Sequence, residues 1–359
     1  MLVTTDIDHI EPYQYVGAKH KGADVTVVCA DNCINLEMFT ENDIPVQKIA
    51  FKGKRNKGNV ETIKKAINQF QPDIIHVLRK QALLSTIPAM RNSSAKLIAY
   101  RGIVGNLSFF DPFSLLSFLH PRIDRIVCVA EAIRAHFLTM GFGPIRLSPK
   151  KLVTIHKGHV TERYKTVPRI DLQQYGVPTD YQVIGFCGAM RPRKGIDVLV
   201  KAFGEMQREK VALLLVGDLR DEKAKQAIAA SGKRELIFTT GKVDQQAALS
   251  INGAIDVATM PSIKREGLPR ALIEAMGQGT PAVVTRVGGS PELVENGSSG
   301  YVVPPADVTA FAAALDKVLD EETCSNMGKM AQSRIQNHFD VSATIERNWA
   351  LYQELLNDH

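Results

Sequence analysis

From residue 181 onward, short apolar runs alternate with helix-length segments. The runs are YQVIGFCG (181–188), VALLLVG (211–217), ELIFTT (235–240), DVATMP (256–261), PAVVTR (281–286) and GYVVPP. Between them lie GIDVLVKAFGEMQRE, residues 221–231, a segment near 244–252, the stretch around ALIEAM, and a short segment near 290–296. Runs this short and this rich in Val, Ile and Leu, spaced by helices, predict a parallel sheet covered on both faces. Residues 166–340 read as one α/β, doubly wound domain.

The first half shows the same alternation less regularly. ADVTVVCA (23–30), DIIHVL (73–78), AKLIAYRG (95–102), RIDRIVCVA (122–130) and KLVTIHKG (151–158) predict five strands, with helices over 59–70, 81–91 and 131–140. Residues 161–181 carry two prolines and little periodicity, and read as the link between domains. Residues 1–165 form the first domain. The terminal stretch, about 341–359, has a helical apolar stripe and holds the single tryptophan, Trp349; it reads as a helix packing back on the first domain.

A chain of 359 residues is ample for two such domains. The five cysteines (Cys29, Cys33, Cys128, Cys187, Cys324) sit mostly in apolar runs, which suits reduced thiols and a cytoplasmic setting. Cys29 and Cys33 lack a second ligand pair, so zinc is not expected. The N-terminus shows no basic region followed by an apolar stretch, and no apolar run approaches the roughly 20 residues of a spanning helix. The net charge of +6 is uneven: residues 1–165 hold 23 Lys/Arg against 14 Asp/Glu, residues 166–359 hold 21 against 24. The basic half fits an anionic partner: a peripheral contact at the inner membrane face, a phosphorylated acceptor, or no partner beyond water. Basic residues are not interleaved with aromatics, so nucleic acid is not expected.

Candidate chemistry concentrates in PSIKREGLPRALIEAM. Glu266 stands on a loop at a strand's carboxyl end. Glu274 lies eight residues on, among apolar helix neighbours, where a carboxylate needs partners such as vicinal hydroxyls. Pro269 reads as the first helical position, Gly267 permits close backbone approach, and the amides of Leu268 and Arg270 face the helix's positive end. A second block, GAMRPRKGI, places Arg191, Arg193 and Lys194 after the strand end at Gly188, a cation set suited to diphosphate. A third, RVGGSPEL, sets Gly288, Gly289 and Ser290 between strand and helix as a further backbone-donor loop.

In this order, over about residues 183–320, these blocks resemble retaining glycosyltransferase family 4, the glycosyl transferases group 1, of the GT-B fold. The resemblance implies two doubly wound Rossmann-like domains facing across a cleft, and transfer of a sugar from a nucleotide sugar, UDP-sugar by expectation, to a glycan or lipid-linked acceptor. It implies that Glu274 binds the donor ribose and Glu266 the donor sugar's hydroxyls. Lys194 would neutralise the leaving diphosphate, and the Gly267 and Leu268 amides would assist beside it. Three positions depart from the family pattern. Ala189 stands where an arginine is usual, so Arg191 or Arg193 takes its work. Arg101 stands where a histidine near the donor sugar is common, and joins Glu266 and Lys194 as a catalytic candidate. TTDIDHIEPYQ replaces a Gly-Gly loop after the first strand. DID (6–8) and HKGH (156–159) formally resemble metal motifs, but metal-independent catalysis is the family's habit, so no cofactor is expected. The implied setting is bacterial polysaccharide or lipopolysaccharide assembly. A non-catalytic nucleotide-sugar-binding partner subunit and a nucleotide-sugar epimerase of the same fold are the alternatives.

Overall fold

The computed structural model describes every residue except 52, 54, 55, 142–145, 358 and 359. The chain divides into two compact units: Met1–Gly158 with Val341–His359, and His159–Asp340.

The first unit is built on seven parallel strands: β1 (Leu2–Thr4), β2 (Val27–Ala30), β3 (Val46–Ile49), β4 (Ile74–Val77), β5 (Lys96–Arg101), β6 (Arg125–Cys128) and β7 (Leu152–Thr154). Their order is β3-β2-β1-β4-β5-β6-β7. The five expected strands are present but shorter at their ends. β3 was not expected, and β1 was implied only by the family resemblance, not by the apolar pattern. β1 has only three residues, all buried, and so carries no period to read, yet it sits between β2 and β4. The helix Glu11–His20 was also missed: EPYQYVGAKH has no clear apolar stripe, and Glu11 and Gln14 are among its buried residues. The terminal helix Val341–Asn357 packs on it within this unit.

The second unit has six parallel strands: β8 (Gln182–Cys187), β9 (Val211–Val216), β10 (Ile237–Gly241), β11 (Val257–Met260), β12 (Ala282–Thr285) and β13 (Gly300–Val303). Their order is β10-β9-β8-β11-β12-β13. Every residue of β9, β11 and β12 is buried, as two covered faces require. In both sheets the strand order reverses once, between β1 and β4 and between β8 and β11. At such a switch point the loops leaving adjacent strands diverge and open a crevice at the carboxyl edge.

Residues 161–181 are not a bare link. Two short 3-10 turns, Thr161–Thr166 and Leu172–Tyr175, dock on the second unit. Leu172 and Val177 enter its core, and the Tyr164 ring lies where a side chain at Gly277 would be. The boundary therefore falls at residue 158, not at 165, because Tyr164 and its neighbours find their apolar surface in the second unit.

Candidate functional site

The loops leaving β8 and β11 converge on one carboxylate. β8 ends at Cys187; the chain turns through Gly188 and Arg191 and enters the helix Ile196–Glu205 through Gly195. Gly195 has φ +66, and a Cβ there would overlap the Pro261 carbonyl oxygen just after β11. That close approach carries Lys194 to the β11 loop, where its Nζ lies 2.8 Å from Glu266 Oε2. Ser262 Oγ donates to the same oxygen at 2.6 Å. Arg193 Nη1 lies 3.7 Å from it and donates to the Arg265 carbonyl at 2.7 Å. Glu266 is thus buried, with these contacts all on Oε2. Burial holds the Lys194 ammonium below its usual range, the Glu266 carboxylate opposes that shift, and Arg193 and Arg191 add to it. Arg191 itself is exposed.

The GG loop closes against the same stretch. Gly288 has φ +57, and a Cβ there would strike the Glu266 carbonyl oxygen. The Gly289 amide donates to the Gly267 carbonyl at 2.8 Å. Ser290 Oγ is buried without a hydrogen-bond partner among the described residues. Beyond Glu266, the amides of Gly267 and Leu268 donate no hydrogen bond among the described residues. Pro269 is the N-cap, not the first helical residue: its ψ of 114 is extended, and its carbonyl accepts from Ile273. The helix Arg270–Gly277 starts one residue later, and its positive end lies beside those two amides.

Glu274 points its carboxylate into a separate buried set. Arg270 Nε lies 3.4 Å from Oε1, and Asn252 Nδ2 donates to Oε2 at 3.3 Å. Burial pushes the Glu274 carboxyl up to about 7, against the pull of Arg270, Arg163 and Asn252. The Cys187 thiol is pushed up to about 12 by burial first and by Glu274 second. These are long, weak partnerships for a buried acid, and they leave acceptor capacity unused.

The second unit therefore brings together Glu266, Lys194, Arg193, Gly267, Leu268, Pro269, Gly289 and Ser290, with Glu274 and Arg270 further along the same helix. Sequence reasoning passed over Ser262 and Asn252. Each had a faint signal: a hydroxyl four residues before Glu266, and an amide in an otherwise apolar helix.

Arg101 does other work. It ends β5 in the first unit, and its side chain is buried. Its Nε donates to the Ile103 carbonyl at 3.0 Å, its Nη2 to the Gly105 carbonyl, and its guanidinium stacks 4.8 Å from the Phe118 ring centre. Its charge orders the loop that follows it. Asp8 of DID accepts from the Ile10 and Glu11 amides at the start of the helix and pairs with Lys157.

Residues 169–334 match the family model described as glycosyl transferases group 1. N-acetyl-alpha-D-glucosaminyl L-malate synthase of Bacillus anthracis is 29% identical over 189 residues, 52% of this chain and 49% of that protein. The chain thus spans about half the length of that relative. Among solved structures, a glycosyltransferase from Rickettsia africae superposes with a TM-score of 0.83 at 20% identity, covering 100% of this chain and 98% of the other. Anabaena HepE in complex with UDP superposes with a TM-score of 0.79 at 20% identity, covering 98% and 99%. The two parallel sheets are the Rossmann-like units of the GT-B fold, and residues 169–334 are the part of the chain that resembles the glycosyl transferases group 1 family.

Proposed function

We propose that this chain is a retaining glycosyltransferase that moves a sugar from a UDP-sugar to a glycan or lipid-linked acceptor, in polysaccharide or lipopolysaccharide assembly. One observation carries the reading: Lys194 and the undonated Gly267 and Leu268 amides meet at the β8/β11 switch point, beside a buried Glu266. Diphosphate fits the cation and the amides, and sugar hydroxyls fit the carboxylate. Glu274, with acceptor capacity to spare, takes the ribose hydroxyls. The UDP bound by HepE supports the choice of base.

The chemistry is front-face. The bond from the anomeric carbon to the diphosphate oxygen breaks, the acceptor oxygen bonds to that carbon from the same face, and the acceptor's proton passes to a departing phosphate oxygen. Lys194, Arg193, Arg191 and the two amides stabilise the charge that develops on the leaving group. This reading assigns that work to side chains and backbone and needs no metal. Glu266 and Glu274 hold the donor in position.

A lipid-linked acceptor is favoured by the first unit's surface. Phe110 is 92% exposed, and Phe113 and Leu115 are also exposed. No helix among the described residues is long and apolar enough to cross a membrane, so contact would be peripheral. A thermal-shift screen across UDP-, GDP-, ADP- and CMP-sugars tests the donor. Stabilisation by UDP-sugars alone is expected; stabilisation by none of the four would remove the reading. Sedimentation with anionic vesicles, lost on Phe110→Ser, tests the membrane contact.

A further inference from the structure

We propose that the first unit carries a second ligand site, a cleft for an uncharged oligosaccharide at the amino ends of its strands. The cleft has a volume of about 850 Å³ and is lined at the strand starts by Leu2, Thr26 and Ile74. Small-molecule sites span roughly 300–1,000 Å³. The amino edge is the opposite end of the sheet from the carboxyl edge, where a doubly wound sheet holds its usual ligand.

Four aromatic side chains line it: Tyr15, Phe70, Trp349 and Tyr352. His76 lines it too and is only 2% exposed. Its Nδ1 lies 2.9 Å from the Tyr352 hydroxyl, and its Nε2 has no hydrogen-bond partner among the described residues. Burial lowers the His76 imidazole to about 3, so the ring beneath the cleft is neutral.

The rim selects the ligand. Asp24, Asp43 and Asp73 are exposed there, so the rim is acidic on balance even with Lys19 and the Met1 amine counted as cations. The Lys19 ammonium is already tied to the Asn42 and Asp43 carbonyl oxygens. An acidic rim repels phosphate, which disfavours nucleotide sugars and phospholipid headgroups alike. A pyranose satisfies both halves of the site. Its C–H face packs on the negative faces of aromatic rings, and its hydroxyls donate to carboxylates. The site is independent of the donor reading and rests on different residues.

Trp349 is the single tryptophan, so intrinsic fluorescence reports on this cleft. The protein is titrated with maltotriose, cellotriose and triacetylchitotriose. A saturable spectral change with at least one of them is expected. Calorimetry should then show binding weakened at least tenfold in Trp349→Ala. The double variant Asp24→Lys, Asp73→Lys alters only exposed residues and should keep its circular dichroism while losing affinity to the same degree. Glu274→Gln should bind within twofold of the parent, which separates this site from the donor site. No saturable response to any of the three sugars overturns the proposal. So does affinity unchanged in the lysine double variant, or a response to inorganic phosphate or spermidine in place of the sugars.

Discussion

The two units share a strand order and spend their charges differently at the switch point. In the first, cations near the strand ends are consumed. Arg79 forms a fork on Glu11 at 3.0 and 2.8 Å, and Lys157 bridges Asp8 and Glu11. In the second, Lys194 meets one carboxylate, two helix-end amides donate to nothing described, and Glu274 has only long partners. A satisfied network stiffens a unit; an unsatisfied one waits for a ligand. The same topology thus yields one self-neutralised edge and one edge prepared for an anion and its hydroxyls.

The largest expected effect tests that division directly. Lys194→Ala should lower kcat for sugar transfer about 100-fold or more, read as UDP release, and should also lower the urea midpoint because it strips the ammonium from buried Glu266. Arg79→Ala should lower stability only. It strips the fork from Glu11, a buried acid, and should cost about 2 kcal/mol in urea unfolding while leaving donor affinity in place. Loss of donor affinity in Arg79→Ala would break the comparison.

Acid and base profiles should also separate the units. The Glu274 carboxyl is raised in the folded state from 4.5 to about 7. Its contribution to stability is fully present below 4.5 and is lost as pH rises through 7, by about 3 kcal/mol at roughly 1.4 kcal/mol per unit. Donor affinity should move oppositely across that window, because ribose hydroxyls need the ionised acid. Glu274→Gln should flatten both curves and weaken UDP-sugar about tenfold by calorimetry. Asp8 has the other sign: burial raises its carboxyl, but Lys157 and the Glu11 and Ile10 amides together outweigh that and lower it from 3.8 to about 2. Its contribution is present above 3.8 and lost as pH falls toward 2, so Asp8→Asn should remove an acid-side transition only.

The smallest effect concerns the backbone. Gly288→Ala puts a methyl group against the Glu266 carbonyl in a left-handed conformation. It should cost about 1 kcal/mol and weaken donor several-fold, measured by thermal shift and calorimetry.

Most of the second unit was legible because its strands are continuous apolar runs and its ligand loops carry glycine and charge at fixed places. The first unit was less so. β1 is too short to show a period, and the helix Glu11–His20 buries Glu11 and Gln14, so its inward face looks polar. The loop contacts of Arg101 were not legible, because a cation at a strand end looks the same in sequence whether it meets a ligand or the carbonyls of its own loop. Glu266 and Glu274 could be located, but not their partners: Ser262, Asn252 and the Lys194 contact depend on a close approach at Gly195 that no spacing reveals.

The boundary at residue 158 has a consequence for how the protein is made. The first unit is discontinuous, completed by Val341–His359, while the second is a single uninterrupted stretch. Its two ends lie side by side: His159 bridges Asp340, and Thr161 Oγ1 donates to Asp340 Oδ2 at 2.6 Å. Topologically it is an insertion, entering and leaving through one doorway. During synthesis His159–Asp340 can fold as soon as it emerges, whereas the earlier-made unit must wait for the last helix, whose Thr344 takes the Gly158 amide at 2.8 Å. The half of the chain made first is the half finished last.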